Sequence, residues 1–201
     1  MKKYQRQQSA PQLRQQLREE RIALSANLQK QKSKLIASHI IESPLFKDAK
    51  KIAFYLAVNA EADPKYIKQN TKPNTQLYLP VLAEDEAQGL LFAPLHNDSQ
   101  FNNNKFSIPE PICATNELIS GEQLDLVLMP LLGFDKKGNR LGMGGGFYDR
   151  CFSFKRTSKA RRPILVGFAY GIQEVDALKA EDWDVPLDYV VTENGLTILN
   201  T

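Results

Sequence analysis

The amino-acid sequence predicts an α/β protein, a mainly parallel sheet with a ligand site in the loops beyond the carboxyl ends of its strands. Three observations point there. Residues 126–129 and 163–170 are apolar without alternation, as strands covered on both faces are. A glycine cluster, Gly142, Gly144, Gly145 and Gly146, separates the first of these runs from a helix-compatible stretch beginning near Phe147. Two helical patterns precede the first strand.

In chain order, residues 1–10 read as a frayed start. From Pro11, a favourable first helical residue, Leu13, Leu17, Ile22 and Leu24 support a first helix. Arg14, Arg18 and Arg21 fall at i, i+4 and i+7, so one face is basic: a binding face, or a solvated one beside Glu19 and Glu20. Ser25 suits the N-cap of a second helix reaching about Ile41, with Leu28, Leu35, Ile36 and Ile40 as its apolar face and Ser43-Pro44 as its stop. The helical segment thus spans about 11–43. Residues 51–57 form the first strand. Beyond it, Asp63 can cap a short helix opened by Pro64, and Glu61 is either a binding carboxylate or a solvated loop charge. Residues 75–80 and 89–93 are the next strands. Residues 102–111 read as irregular, because prolines remove ladder donors. Strands follow at 124–129, 163–170, 189–191 and 195–199. Between them, the basic loop 155–162 either steers anions or is solvated.

The stretch from Leu126 to Arg150 carries the chemistry. Lys137-Gly138-Asn139 supplies a turn in which Gly138 can take a positive φ. Four glycines in five positions let the backbone approach a ligand and aim its N–H groups at an anion, and a helix starting near Phe147 would add its positive end. Arg140 is a forked phosphate donor just upstream. Asp149 either caps amides or holds a hard cation such as Mg²⁺. The loop lacks the Lys-Ser/Thr of a Walker A loop and the G-x-G-x-x-G dinucleotide spacing, so the glycines alone leave a phosphate site and a tight turn both open. Arg140 and Asp149 favour the phosphate site. Asp184 and Asp188 each precede a short strand, and either can face this loop.

Composition sets the class. A hydrophobic share of 42% and a charged share of 24% are ordinary for a soluble globular protein of 201 residues, one domain in size. No apolar run can span a bilayer and residues 1–8 have no apolar core for a signal peptide, so the expectation is a cytoplasmic protein. Cys113 and Cys151 fall in no metal or redox spacing, and two histidines cannot build a histidine-rich metal site, so any metal is oxygen-bound. Residues 1–50 carry 11 Lys and Arg against 4 Asp and Glu, whereas the remainder carries 15 against 19. A basic helical arm on a mildly acidic body suits nucleic acid, a membrane surface or a polyanionic small molecule.

Met129-Pro130, Gly133-Phe134-Asp135 and the run from Gly138-Asn139-Arg140-Leu141-Gly142 to Gly146-Phe147-Tyr148-Asp149 resemble the 5-formyltetrahydrofolate cyclo-ligase (methenyltetrahydrofolate synthetase) family. Leu13-Arg14, Tyr55-Leu56 followed by Glu61, Ile108-Pro109-Glu110-Pro111, Asp184 and Asp188 extend the resemblance over nearly the whole chain. It implies closure of 5-formyltetrahydrofolate to 5,10-methenyltetrahydrofolate with ATP and Mg²⁺, giving ADP and phosphate. The formyl oxygen takes the γ-phosphoryl group, N10 attacks the activated carbon, and phosphate departs. It implies ATP contacts from Arg14, Arg140, Leu141, Gly142, Met143, Gly144, Gly145, Gly146, Phe147 and Tyr148. Leu56, Glu61 and the run Met143 to Phe147 would contact the folate, and Asp149 and Asp184 would hold Mg²⁺. Arg140 and Tyr148 would act on the reacting groups. The implied fold is a three-layer α/β/α sandwich resembling sugar-phosphate isomerases and CoA transferases, acting as a monomer on small molecules without nucleic-acid or membrane partners.

Four positions depart from the family pattern. Ala10 stands where many relatives have lysine, leaving Lys2, Lys3 or Arg6 as substitutes; Phe147 replaces a frequent tyrosine, Gly145 an occasional lysine, and Ser107 a usual glycine. Two rival readings follow from the residues. One is an isomerase or other binding protein on the same fold with Glu61 as its base. The other is a nucleic-acid module using the basic arm, which lacks the interleaved aromatics of a stacking platform.

Overall fold

The structure, a computed structural model, describes residues 8–157 and 162–199. Ser9 precedes α1 (Ala10–Ile22), where Pro11 lies in the first turn and the Gln12 side chain accepts from the Ser9 amide at 3.0 Å. Ser25 Oγ accepts from Leu28 N at 3.3 Å to start α2 (Ala26–Glu42). Ser43 ends that helix and caps the short α3 (Pro44–Lys47).

Then come β1 (Lys51–Ala53), a 3₁₀ helix at Pro64–Asn70 capped by Asp63, β2 (Gln76–Leu82), β3 (Leu90–Pro94), β4 (Phe101–Asn103) and β5 (Pro109–Pro111). The second half holds β6 (Leu126–Met129), β7 (Gly133–Phe134), β8 (Arg140–Leu141), α4 (Phe147–Cys151), β9 (Ile164–Phe168), β10 (Tyr189–Thr192) and β11 (Gly195–Ile198).

Seven strands form one sheet in the order β11-β10-β9-β6-β1-β2-β3. The inner five run parallel, with Ile52 beside both Leu77 and Leu126, and Leu128 beside Val166. β3 and β11 close the edges antiparallel. From β1 the chain passes to β2 on one side; from β6 it passes to β9 on the other. The neighbouring carboxyl ends of β1 and β6 therefore open a crevice, the usual ligand position in such a sheet.

Alternate residues build the core on both faces. Ile52, Leu126, Leu128, Val166 and Val191 pack with Ile36, Ala37 and Ile40 of α2. Ala53, Val127, Met129, Leu165 and Val190 pack on the opposite side with Phe152 just after α4. All four residues of β6 are buried, as its unbroken apolar run requires.

Four expectations need correction. The first strand ends at Ala53 rather than at residue 57; after Phe54 N donates to Tyr78 O at 3.1 Å the chain leaves the sheet for the crevice. Residues 102–111 are not wholly irregular: β4 and β5 form an antiparallel ribbon. Ladder bonds fall at Asn104 N to Ile108 O and Ile112 N to Gln100 O, so Pro109 and Pro111 occupy the intervening positions, where no donor is needed. Ser107, with φ 59°, makes the left-handed turn of this ribbon, a backbone that explains why glycine is usual there. In α2, Leu28 and Leu35 are exposed while Ser33, Ile36, Ala37 and Ile40 turn inward. In α1, Ile22 faces out and Arg21 takes the buried place one turn after Leu17.

Candidate active site

The segment leaving β1 forms one wall of the crevice. Tyr55 Oη lies 2.5 Å from Ala62 O, anchoring a loop whose Asn59 and Ala60 have φ of 49° and 61°. Left-handed backbone at an alanine costs about 1–2 kcal/mol, so this loop is held in shape by its surroundings. Glu61 N donates to Val58 O at 3.0 Å, and the Glu61 carboxylate returns to Val58 N at 3.1 Å. The Glu61 side chain is only 10% exposed, which removes the solvated-charge reading. Burial pushes its carboxyl above the ordinary range, while the Val58 amide and the Arg21 guanidinium, 3.8 Å away, pull it down. Glu61 lines a cavity of about 260 Å³ with Ser33, Val58, Asp63, Tyr66 and Tyr170. Leu56 is half-buried against the α2-side core.

The β7–β8 hairpin leads into the opposite wall. Asp135 is buried and accepts from the amides of Lys137, Asn139 and Leu178 and from the Asn139 side chain, which fixes the turn in which Gly138 takes φ 86°. This explains Asp135 and Asn139 in the motif as scaffold. Beyond β8, Gly144 and Gly146 adopt φ of 98° and 64°, so side chains are disfavoured there. Helix α1 lies along the loop: Arg14 Nε donates to Gly142 O at 2.9 Å, and Arg18 Nη2 reaches Met143 Sδ at 3.7 Å. Arg150 Nη1 donates to Gly145 O at 2.9 Å while its guanidinium sits 5.0 Å from the Phe147 ring centre. The edge of Phe106 meets the same ring at 5.7 Å. The helix expected from Phe147 begins there but has only five residues, so its dipole is short, and the amides and arginines around the loop are the larger source of positive potential.

Arg140 is tied into the third wall. Its Nη2 donates to Asp149 Oδ1 at 2.6 Å and its Nη1 to the Val185 carbonyl, while Val185 N donates to the same Asp149 oxygen at 3.1 Å. Asp149 is therefore the partner of Arg140 and Val185 rather than a cap of α4, which has no side-chain cap. Burial lowers the Arg140 pKa, opposed chiefly by Asp149 and then by Asp184. Asp184 thus shares this corner, its carboxylate also accepting from Glu181 N at 2.9 Å. Asp188 instead accepts from Leu165 N and Lys155 Nζ, a structural use at the start of β9. Lys155 is engaged there and Arg162 pairs with Asp125, so the described ends of the basic loop hold the fold together.

Tyr148 stacks on Phe152 with ring centres 6.3 Å apart. Burial pushes its hydroxyl well above the ordinary tyrosine value, and the charge of Glu61 adds to this. Tyr148 is consequently a neutral O–H donor close enough to Glu61 to feel its charge. Among the described residues no three His, Cys, Asp or Glu side chains form a metal cluster. Two carboxylates beside an arginine do fit the chemistry of Mg²⁺, which takes few protein oxygens and completes its shell with water and phosphate oxygens. Lys2, Lys3 and Arg6 lie outside the described residues.

The residue patterns left Arg21 open between a binding and a solvated face, and they missed Arg150. Arg21 could have been found from Leu17, since a helix that buries one residue turns the residue four later the same way. Arg150 carries no such mark; its role depends on where Gly145 and Phe147 meet.

With this geometry in hand, comparisons with known proteins converge. Residues 6–193 match the family described as the 5-formyltetrahydrofolate cyclo-ligase family. A 5-formyltetrahydrofolate cyclo-ligase of Haemophilus influenzae is 38% identical over 181 residues, covering 90% of this chain and 95% of that protein. Its counterpart from Escherichia coli is 35% identical over 177 residues, covering 88% and 96%. The solved 5,10-methenyltetrahydrofolate synthetase of Aquifex aeolicus superposes with a TM-score of 0.79 at 29% identity, covering 96% of this chain and 93% of that one. That of Mycoplasma pneumoniae gives 0.68 at 24% identity over 92% and 99%, a likeness of fold.

Proposed function

This chain belongs to the 5-formyltetrahydrofolate cyclo-ligase family and is a cyclo-ligase, and from that premise we propose how its residues divide the work. The reaction closes 5-formyltetrahydrofolate to 5,10-methenyltetrahydrofolate and converts ATP to ADP and phosphate. The observation that carries the assignment is the meeting, at the β1–β6 crevice, of a buried carboxylate loop, a glycine loop and an Arg–Asp corner beneath a basic helix.

The ATP phosphates lie along residues 140–148, where the amides of Gly142 to Gly146 face the anion and Arg14 and Arg140 supply positive charge. Arg14 does this while bracing the loop through Gly142 O. The folate lies between Leu56, Glu61 and the run Met143 to Phe147. The pterin ring presents N–H donors, and a carboxylate held by Val58 N accepts them in a fixed direction.

The formyl oxygen attacks the γ-phosphorus and the bond to ADP breaks. N10 then bonds to the formyl carbon and gives up its proton, and the phosphorylated oxygen leaves as inorganic phosphate, which can carry that proton away. No protein nucleophile is needed; the site positions and neutralises. Tyr148 donates its hydroxyl proton in a hydrogen bond to oxygen that gains charge, and Arg140 stabilises the same region. Mg²⁺ would be held by Asp149 and Asp184 and would neutralise phosphate charge.

We also read the chain as one domain of the three-layer type resembling sugar-phosphate isomerases and CoA transferases, cytoplasmic and monomeric, with small molecules as partners. The test is an absorbance scan for methenyl-folate on mixing protein and 5-formyltetrahydrofolate with and without ATP and Mg²⁺. Product only when both are present is expected; product without ATP would overturn the reading.

A further inference from the structure

Arg21 fills a place on α1 that an apolar side chain would occupy at lower cost. Its side chain is 1% exposed, yet its hydrogen bond to Leu131 O is long, 3.3 Å, and its buried Nε and Nη2 have no partner among the described residues. A buried guanidinium with two unpartnered nitrogens is a burden on the fold, and its charge is offset only where an anion stands close by. Opposite it stands Glu61, with Oε1 3.8 Å from Nη1 and the other carboxylate oxygen taken by Val58 N.

Resting on the assignment of Glu61 to the folate, we propose that Arg21 is the positioning residue of the folate end. It holds Glu61 ionised and aimed as the acceptor for the pterin N–H groups.

The surroundings of Glu61 support this. Tyr55, in the segment after β1, and Tyr148 of α4 feel its charge, Tyr170, two residues beyond β9, donates to its backbone carbonyl at 3.2 Å, and burial raises all three, so they stay neutral. Lys30 of α2, with Asp63 and Lys65, lines the same cavity, but Lys65 is paired with Asp63 at 2.6 Å. Arg21 is the cation that pairs with Glu61. Burial raises the Glu61 pKa and Arg21 lowers it, so removing Arg21 lifts it further, and folate affinity then fails at a higher pH as the solution is acidified.

The experiment compares Arg21→Met, Arg21→Lys, Glu61→Gln and the Arg21→Met/Glu61→Gln double variant, measuring KM for 5-formyltetrahydrofolate and for ATP between about pH 5 and about pH 8. For Arg21→Met we expect folate KM to rise about tenfold at neutral pH with ATP KM nearly unchanged, and the acid limb of the folate profile to move up. Arg21→Lys should restore the limb but only part of the KM, since an ammonium supplies charge without the planar fork. The double variant buries no unpaired charge, so it reports even where Arg21→Met alone does not fold. A pH-flat folate KM close to that of Glu61→Gln supports the pairing, and a much worse one overturns it. Arg21→Met with wild-type folate KM and profile overturns the proposal; a loss in Glu61→Gln alone would leave the Glu61 assignment standing, and no loss in either would remove both. Equal rises in both KM values with an unmoved profile mark a structural arginine and also overturn it.

Discussion

At the scale of single residues, the Arg140–Asp149 pair decides most. Asp149 receives a charged donor and the Val185 amide on the same oxygen. Asp149→Asn keeps the shape but replaces a charge-assisted bond by a neutral one beside a buried guanidinium, so we expect a stability loss of about 1–3 kcal/mol, read by thermal melting. The Mg²⁺ concentration for half-maximal turnover should rise severalfold as well. An unchanged Mg²⁺ requirement would remove Asp149 as a metal ligand, and an unchanged melting point would make its pairing with Arg140 energetically idle. Tyr148→Phe separates chemistry from packing. The ring keeps its stack on Phe152, so the fold should hold, while losing a neutral donor from a water-poor site should lower kcat by about 10²-fold. Because burial raises the Tyr148 pKa, its hydroxyl stays protonated through neutral pH, and the variant should keep the wild-type pH profile between about pH 6 and about pH 9. A profile that changes shape there would mean Tyr148 titrates during turnover.

At the scale of elements, the glycine loop shows how unequal four similar residues are. A Cβ on Gly145 would come within 2.6 Å of the Phe147 ring, whereas one on Gly142 would meet nothing within 4 Å. Gly145→Ala must therefore displace Phe147 from between Arg150 and Phe106, and we expect at least a tenfold fall in kcat/KM for the folate with a lower melting point. Gly142→Ala should melt like the wild type, so any activity it loses measures how closely the ligand approaches the backbone. If the two variants behave alike in melting, the Phe147 packing does not order the loop. The sequence announced this loop by glycine density, but not its short helix or its bracing by Arg150. In the same way the prolines at 109 and 111 argued against a strand. They were tolerated because an antiparallel ribbon leaves every second position without a ladder bond, which composition does not reveal.

At the scale of the whole molecule, strands 126–129 and 164–168 were legible because each lies in an uninterrupted apolar run, while their order in the sheet was not, since strand pairing leaves no local mark. The candidate site was legible as residue types in a family motif. Its assembly was hidden, because Arg14 meets Gly142 across 128 residues of chain and the helical pattern could not tell whether Arg21 faces a ligand or solvent. That long-range contact carries a last prediction. Helix α1 buries one apolar side chain completely, Leu17, worth about 1.5–3 kcal/mol, whereas β6 buries every residue it has. Much of what holds α1 down is therefore polar and belongs to the site: Arg14 on the loop, Arg18 on Met143, Arg21 beside Glu61. Such an element opens locally well below the free energy of global unfolding. In the free protein, the amides of α1 should exchange with solvent much faster than those of β6. ATP at about 100 times its dissociation constant should stabilise the bound form by about 2.7 kcal/mol, and if the nucleotide uses Arg14 that gain should slow exchange in α1 together with residues 142–148. Hydrogen exchange followed by mass spectrometry with and without ATP reads both segments at once. Protection confined to residues 142–148, with α1 unchanged, would place the nucleotide away from Arg14 and leave that helix serving the folate end through Arg21.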